Sequence, residues 1–460
     1  MNNLWILTEE RPKNSVIQTI LEEYCKLKSE KLICNDIKII PRTANGVFLF
    51  EYIVQGVSVN KIGTIIIKII SGYSSFMDYM LIEQELSPEN HSLDNIVFLL
   101  EETKTSDAES RNTGIGQRAS KFTYANYYCP EVPKYMLYNE ETTPDANRTP
   151  TQTNIFGTNM LLAQNVRFLG KTMIHFRAFT SIDELIAFKQ CIRLPNKTNI
   201  PILVNKFNED TITISGRLSK PKDKGNIGHD PNIGTITCIA STLRKLGWTK
   251  KIIVTQHGVS QNYATKNSNN KFIRICKILD MQLDGITLPS NIELPQFYWQ
   301  YSMSSEKVAS ILLHLTCQYA GIHGIYENHA GCERSYFREA DGSLTTLHKK
   351  DSGGENNLLL PDVVLRNDKT QEIYLIEGKM FNKLEDGLHD ILGYDAIEKE
   401  HIKRSYPNYT ISRWITLFGG TETSIPHNSV LIYCNKEGKV LINSNAPQAI
   451  KDAFKLIGIN

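Results

Sequence analysis

Ile17, Ile20, Leu21 and Tyr24 recur at three- and four-residue spacing within residues 16–28, which predicts an amphipathic helix. Residues 46–55 and 63–71 are rich in β-branched and aromatic side chains and predict strands, so the first hundred residues read as a mixed α/β unit. Residues 139–159, dense in Thr, Asn and Pro, read as an exposed loop or insertion. Beyond it the pattern predicts strands at 200–204, 211–215 and 251–255, with a loop at 216–234 and a helix at 235–246 between them. Val308, Ile311, Leu312, Leu315 and Tyr319 then mark a helical face behind Ser304 or Ser305 as N-cap, and a last amphipathic helix is predicted at 446–456.

The sharpest local pattern lies near the C-terminus. The apolar run 358–365 contains Pro361-Asp362, a polar turn follows at 366–371, and a second apolar run, 372–379, ends Glu377-Gly378-Lys379. This reads as a β-hairpin. Alternate strand side chains lie about 6.6 Å apart on one face, so Glu377 and Lys379 emerge together from the end of a buried strand, with Asp362 beginning its partner. Two carboxylates at one corner repel unless a hard divalent cation lies between them, and a neighbouring lysine can orient water and offset charge on a phosphate.

An analogous layout occurs earlier. Asp78 precedes the short apolar run 79–82, and after a polar excursion the run 96–100 leads to Glu101-Glu102-Thr103-Lys104. Period-two alternation places Glu102 and Lys104 on one face with Ile96, Phe98 and Leu100, and Glu83 or Glu85 are substitutes for Asp78. Arg111, Asn112, Gln117, Arg118 and Lys121 follow, side chains suited to phosphate contact.

These residues resemble the PD-(D/E)xK nuclease superfamily, as Pro361-Asp362 followed by Glu377-Gly378-Lys379, and within it a type II restriction endonuclease. The resemblance implies a mixed α+β fold of PD-(D/E)xK-type sheets flanked by helices, with two such cores in one chain. It implies Mg²⁺-dependent, sequence-specific hydrolysis of double-stranded DNA. Asp362, Glu377 and Lys379 form the core site and Asp78, Glu102 and Lys104 a second, the acids being the metal ligands. An additional acid from an upstream helix is also implied, for which Glu306 or Glu355 serves. The alternatives are a structure-specific repair or recombination nuclease, and a non-enzymatic DNA-binding protein with decayed nuclease folds.

Composition sharpens this picture. At 460 residues the chain is long enough for two or three domains, divided here as 1–205, 206–295 and 296–460. Net charge is only +2, yet residues 216–278 hold twelve Lys or Arg against Asp223 and Asp230 alone, an electrostatic footprint suited to nucleic acid. Within it Arg217, Lys220, Lys222, Lys224 and Asn226 are the candidate DNA-recognition residues. Nine cysteines without a Cys-x-x-Cys pair argue for a reducing cytoplasm. No apolar run is long enough for a membrane span, and the N-terminus lacks signal-peptide character. Gly114-Ile115-Gly116-Gln117-Arg118-Ala119 lacks a strand leading into it, and Gly170-Lys171-Thr172 lacks the earlier glycine of a P-loop, so no nucleotide cofactor is expected. His323, Asn328, His329 and Cys332 are read as structural rather than as a metal cluster. Cutting both strands then calls for a monomer with two sites or a homodimer.

Overall fold

In the computed structural model the periodic segment near the N-terminus is the helix Asn14–Lys28, which buries Val16, Ile17, Ile20, Leu21 and Tyr24 and stops at Ser29 in the left-handed conformation. Described are residues 1–459 except 73–75, 104–113, 139–149, 171, 193–200, 220–224, 229, 295–297, 303–304, 329–333 and 349–357. The fold is mixed α+β. No helix among the described residues is long and apolar enough to cross a membrane.

The strands are β1 (Asn3–Thr8), β2 (Leu32–Ala44), β3 (Val47–Val59), β4 (Ile65–Gly72), β5 (Tyr79–Gln84), β6 (Ile96–Thr103), β7 (Lys134–Tyr138) and β8 (Val166–Leu169). Next come β9 (Leu203–Asn208), β10 (Thr211–Arg217), β11 (Lys251–His257), β12 (Met281–Leu283) and β13 (Trp299–Tyr301). The last are β14 (His323–Glu327), β15 (Arg334–Arg338), β16 (Leu344–His348), β17 (Val363–Asn367), β18 (Glu372–Met380), β19 (Thr410–Phe418), β20 (Val430–Cys434) and β21 (Val440–Ile442).

Packing groups the chain into two units, Met1–Ser71 with Glu83–Pro88 and Tyr301–Asn460, and Gly72–Ile82 with Glu89–Gln300. This differs from the division 1–205, 206–295 and 296–460. The reason is that the N-terminal segment is tied to the C-terminal third of the chain. Arg11 Nε donates to both Glu327 oxygens at 2.9 and 3.0 Å, Arg11 Nη2 reaches Oε2 at 2.7 Å, and Val47 bridges to Lys439.

In the first unit an eight-stranded sheet runs β16-β15-β14-β17-β18-β19-β20-β21. The predicted hairpin is β17 and β18, paired antiparallel from Val363↔Ile376 to Asn367↔Glu372, shorter at its start than the apolar run 358–365 suggests. Then β18, β19 and β20 are successively parallel. Ile373 to Ile376 are wholly buried, as central strands covered on both faces must be. The helix Lys307–Tyr319 covers one face and the helix Leu384–Leu392 the other. The former starts with Glu306 as cap, and Ser305 Oγ accepts from Lys307 N at 3.3 Å.

In the second unit β5 and β6 pair antiparallel, and β6, β7 and β8 are successively parallel. A separate sheet, β12-β11-β10-β9, repeats this plan: β9 and β10 antiparallel, then β10, β11 and β12 parallel. The helix Asp230–Lys245 begins earlier than the sequence pattern suggests and makes the crossover from β10 to β11. Of the expected loop 139–159, residues 139–149 lie outside the described set. The rest belongs to the helix Gln152–Ala163, capped by Thr151 and burying Phe156 and Met160. The helix is enclosed on most sides, with Asn154, Thr158 and Asn159 buried alongside Phe156, Met160 and Leu161.

Burial raises the cost of charging Glu327, yet Arg11 and His314 outweigh it and hold the carboxyl well below the usual range. A depressed carboxyl stabilises the fold above its unfolded pKa and loses that contribution as pH falls through the folded value. Removing one partner of a buried pair leaves the other uncompensated, so Arg11→Ala is expected to lower stability by about 3–5 kcal/mol. Urea unfolding at neutral pH measures this, and the gap between wild type and variant should narrow in acid.

Candidate active site

Where β17 begins, the backbone of Asp362 is fixed from both sides: its N–H donates to Ile376 O at 3.0 Å and its carbonyl accepts from Asn328 N at 2.7 Å. The side chain then turns back across the hairpin, and Asp362 Oδ2 accepts from Gly378 N at 2.9 Å. Position 378 requires the smallest residue. A Cβ there would lie 2.3 Å from Ser310 Oγ and 3.1 Å from Asp362 Oδ2, against the start of the helix Lys307–Tyr319.

On the opposite face Lys379 Nζ lies 2.5 Å from Glu377 Oε1 and 3.0 Å from Asp390 Oδ2. Asp390 belongs to the helix Leu384–Leu392, and Gly387 in that helix lets it pack on the aliphatic stem of Lys379. Tyr394 OH donates to Glu377 Oε2. Burial and then the charge of Asp362 push the Glu377 carboxyl up to about 7. Glu306, at the cap of the helix Lys307–Tyr319, is also raised by burial and by Asp362. For Lys379 burial acts downward, but Glu377 and Asp390 prevail and keep it charged. The hairpin thus gathers Asp362, Glu377 and Lys379 as the sequence pattern predicts, with Glu306 beside them. Glu355 lies outside the described residues. Asp390 and Tyr394 carried no sequence signal beyond a polar pair four apart on a helix and its exit.

The N-terminal region forms a second constellation with different members. Asp78 Oδ2 accepts from Glu102 N at 2.8 Å, and Asp78 N donates to Glu101 Oε2 at 3.2 Å. Lys121 Nζ reaches Asp78 Oδ1 at 3.1 Å and Glu101 Oε2 at 2.9 Å, and Arg118 Nε lies 3.5 Å from Glu101 Oε1. Glu101, not Glu102, therefore faces Asp78. Glu102 is buried with Oε2 3.4 Å from Tyr79 OH, and Lys104 lies outside the described residues. The error is one of strand parity: with Glu101 and Glu102 adjacent, a one-residue shift exchanges the faces. Burial and then Asp78 push Glu101 up to about 7. Glu83 pairs with Lys28 at 2.9 Å instead, and Glu85 is exposed.

The DNA-contact candidates divide. Arg118 Nε donates to Glu102 O at 3.0 Å, and Lys121 is held by the two acids, so both build the constellation. Arg217 ends β10 half-buried and Asn226 is exposed. Gln117 lies in the helix Gly114–Tyr128; Arg111, Asn112, Lys220, Lys222 and Lys224 lie outside the described residues. Part of the basic footprint is engaged by the protein's own carbonyls. Arg244 donates to the carbonyls of Leu279, Trp248, Lys250 and Asp280, and Arg274 to that of Glu293.

Protein-family models, curated proteins and solved structures were each compared with the chain, and none matches.

A carboxyl raised in the fold stabilises it most below the unfolded pKa, and that contribution is lost as pH rises through the folded value. For Glu377 the window runs from the ordinary 4.5 to about 7. Without divalent cations, wild type is expected to lose thermal stability relative to Glu377→Gln across that window. Melting curves of both proteins at pH 5 and pH 7.5 in EDTA measure the difference.

Proposed function

We propose that this protein is a Mg²⁺-dependent endonuclease that hydrolyses phosphodiester bonds of double-stranded DNA at specific sequences, in the manner of a type II restriction enzyme. The observation that carries the reading is the corner where Lys379 contacts Glu377 while Asp362 is clamped to the amide of Gly378. Such a corner joins two acids and an ammonium at the end of one hairpin, which is the minimum for metal-assisted phosphoryl chemistry.

The donor set fits the ion. Asp362 and Glu377 offer hard oxygens, Glu377 being raised by burial and then by Asp362, and two carboxylates leave positions for phosphate oxygen and water, as Mg²⁺ requires. Glu306 stands close enough to Asp362 to feel its charge, but among the described residues no three acidic, histidine or cysteine side chains gather closely enough to hold an ion together. When bound, the ion supplies Lewis-acid polarisation of the phosphate.

Lys379, held between Glu377 and Asp390, orients the attacking water and offsets charge developing on the phosphate. Tyr394 fixes the second oxygen of Glu377, so that carboxylate keeps one orientation. Asp362 is held by three backbone bonds and cannot swing away as the substrate arrives. Water oxygen bonds to phosphorus, the bond from phosphorus to the leaving sugar oxygen breaks, and that oxygen takes up a proton.

Arg217, Lys220, Lys222, Lys224 and Asn226 are the proposed base- and phosphate-reading residues, of which Arg217 is half-buried and Asn226 exposed. A reducing cytoplasm suits the eight free thiols of the described residues.

The test is incubation of purified protein with a large linear duplex and Mg²⁺. Discrete fragments are expected, abolished by EDTA and slowed about 100-fold or more by Lys379→Ala. Intact linear duplex with cleavage of branched substrates would replace this reading with a structure-specific nuclease, and binding without any cutting would leave a DNA-binding protein.

A further inference from the structure

Two hairpins in this chain carry an aspartate and a glutamate at the same register positions. In the C-terminal hairpin the last pair is Val363↔Ile376, with Asp362 just before the first partner and Glu377 just after the second. In the N-terminal hairpin the corresponding pair is Tyr79↔Leu100, flanked by Asp78 and Glu101 in the same way. The side-chain clamp repeats as well: Asp362 Oδ2 accepts from the amide following Glu377, and Asp78 Oδ2 from the amide following Glu101. In both, the glutamate strand is followed by a helix and a parallel neighbour, β19 in one case and β7 in the other.

One position breaks the match. Two residues after the glutamate, β18 has Lys379 where β6 has Thr103. The ammonium comes instead from the crossover helix: Lys121 Nζ lies 2.9 Å from Glu101 and 3.1 Å from Asp78. The C-terminal copy has the converse, a lysine on the strand and its partner Asp390 on the helix. An ammonium beside the glutamate is thus kept while its place in the sequence changes.

We infer that Asp78, Glu101 and Lys121 form a second phosphodiester-hydrolysing centre, with the lysine donated by the helix Gly114–Tyr128 rather than by the strand. This rests on the reading of the C-terminal centre. Asp78 is one-third exposed and Lys121 about one-fifth, comparable with Asp390 and Lys379, while Glu101 is buried behind them, so solvent reaches the constellation from the Asp78 and Lys121 side. Asp78 and Glu101 stand where Asp362 and Glu377 would hold Mg²⁺. The reaction is the same: water oxygen bonds to phosphorus, the sugar oxygen leaves and is protonated. With two centres in one chain, each can cut one strand.

The experiment uses the full chain, supercoiled plasmid and Mg²⁺, with the near-isosteric variants Lys379→Met, Lys121→Met and their combination. Each single variant is expected to accumulate open circles, with linear product at least about tenfold lower, and the double variant to leave the plasmid intact. Thr103→Lys added to Lys121→Met should restore linearisation by returning the ammonium to the strand. Calorimetric titration with Ca²⁺ gives an activity-independent readout: two ions per chain for wild type, and one each for Asp78→Asn and Asp362→Asn. Wild-type linearisation by Lys121→Met, or a single ion that Asp78→Asn does not remove, overturns the second centre and leaves Lys121 as a counter-ion. Undiminished cutting by Lys379→Met overturns the C-terminal reading instead. If Lys121→Met fails to fold, the Ca²⁺ count of Asp78→Asn decides.

Discussion

An aspartate side chain accepting the backbone amide that follows a glutamate is the contact around which the rest is arranged. It joins Asp362 to the amide of Gly378 and Asp78 to that of Glu102, at 2.9 and 2.8 Å. The bond brings two like charges to one hairpin corner, an arrangement that repulsion alone would open. A charge-assisted bond to a backbone amide fixes the aspartate's direction. Both Glu377 and Glu101 are pushed up to about 7 by burial and their aspartate neighbours.

Everything near the C-terminal corner accommodates that bond. Gly378 must lack a side chain because the helix starting at Lys307 presses against that face, leaving 2.3 Å between a hypothetical Cβ and Ser310 Oγ. Just past the neighbouring strand β14, the Asn328 amide holds the Asp362 carbonyl. One residue earlier, Glu327 is itself held by Arg11, so the N-terminal segment braces the strand that braces the aspartate. That chain of contacts gives residues 1–71 a reason to pack with residues 301–460.

How much of this could be read from the sequence depended on whether parity was fixed. At the C-terminus the single glutamate and the Gly-Lys after it left one register, so Asp362, Glu377 and Lys379 were legible. At the N-terminus Glu101 and Glu102 are adjacent and an eligible Lys104 follows, so alternation alone favoured the wrong face. Lys121 looked like a phosphate contact because its partners lie about twenty and more than forty residues away in the chain, a separation that no local pattern reports. Likewise, the run of basic residues looked like one surface, although Arg244 is consumed by four carbonyls at the ends of its neighbouring elements.

The third sheet separates scaffold from chemistry. β9 and β10 form an antiparallel hairpin whose last pair is Leu203↔Ser215, and β11 and β12 follow in parallel, as in the other two. The positions that hold aspartate and glutamate elsewhere are here Ile202 and Gly216, and two residues on is Leu218, wholly buried. A Cβ at Gly216 would meet the side chains of Ile236 and Ile202, so this corner is closed by apolar packing where the others are polar. The strand order therefore does not require the acids, since the same arrangement folds around isoleucine. Retaining a buried glutamate against a second carboxylate at each of the other corners works against stability, and an apolar corner shows that the fold has a less strained solution. Their presence at two of the three corners compared is best explained by what those corners do rather than by what they support.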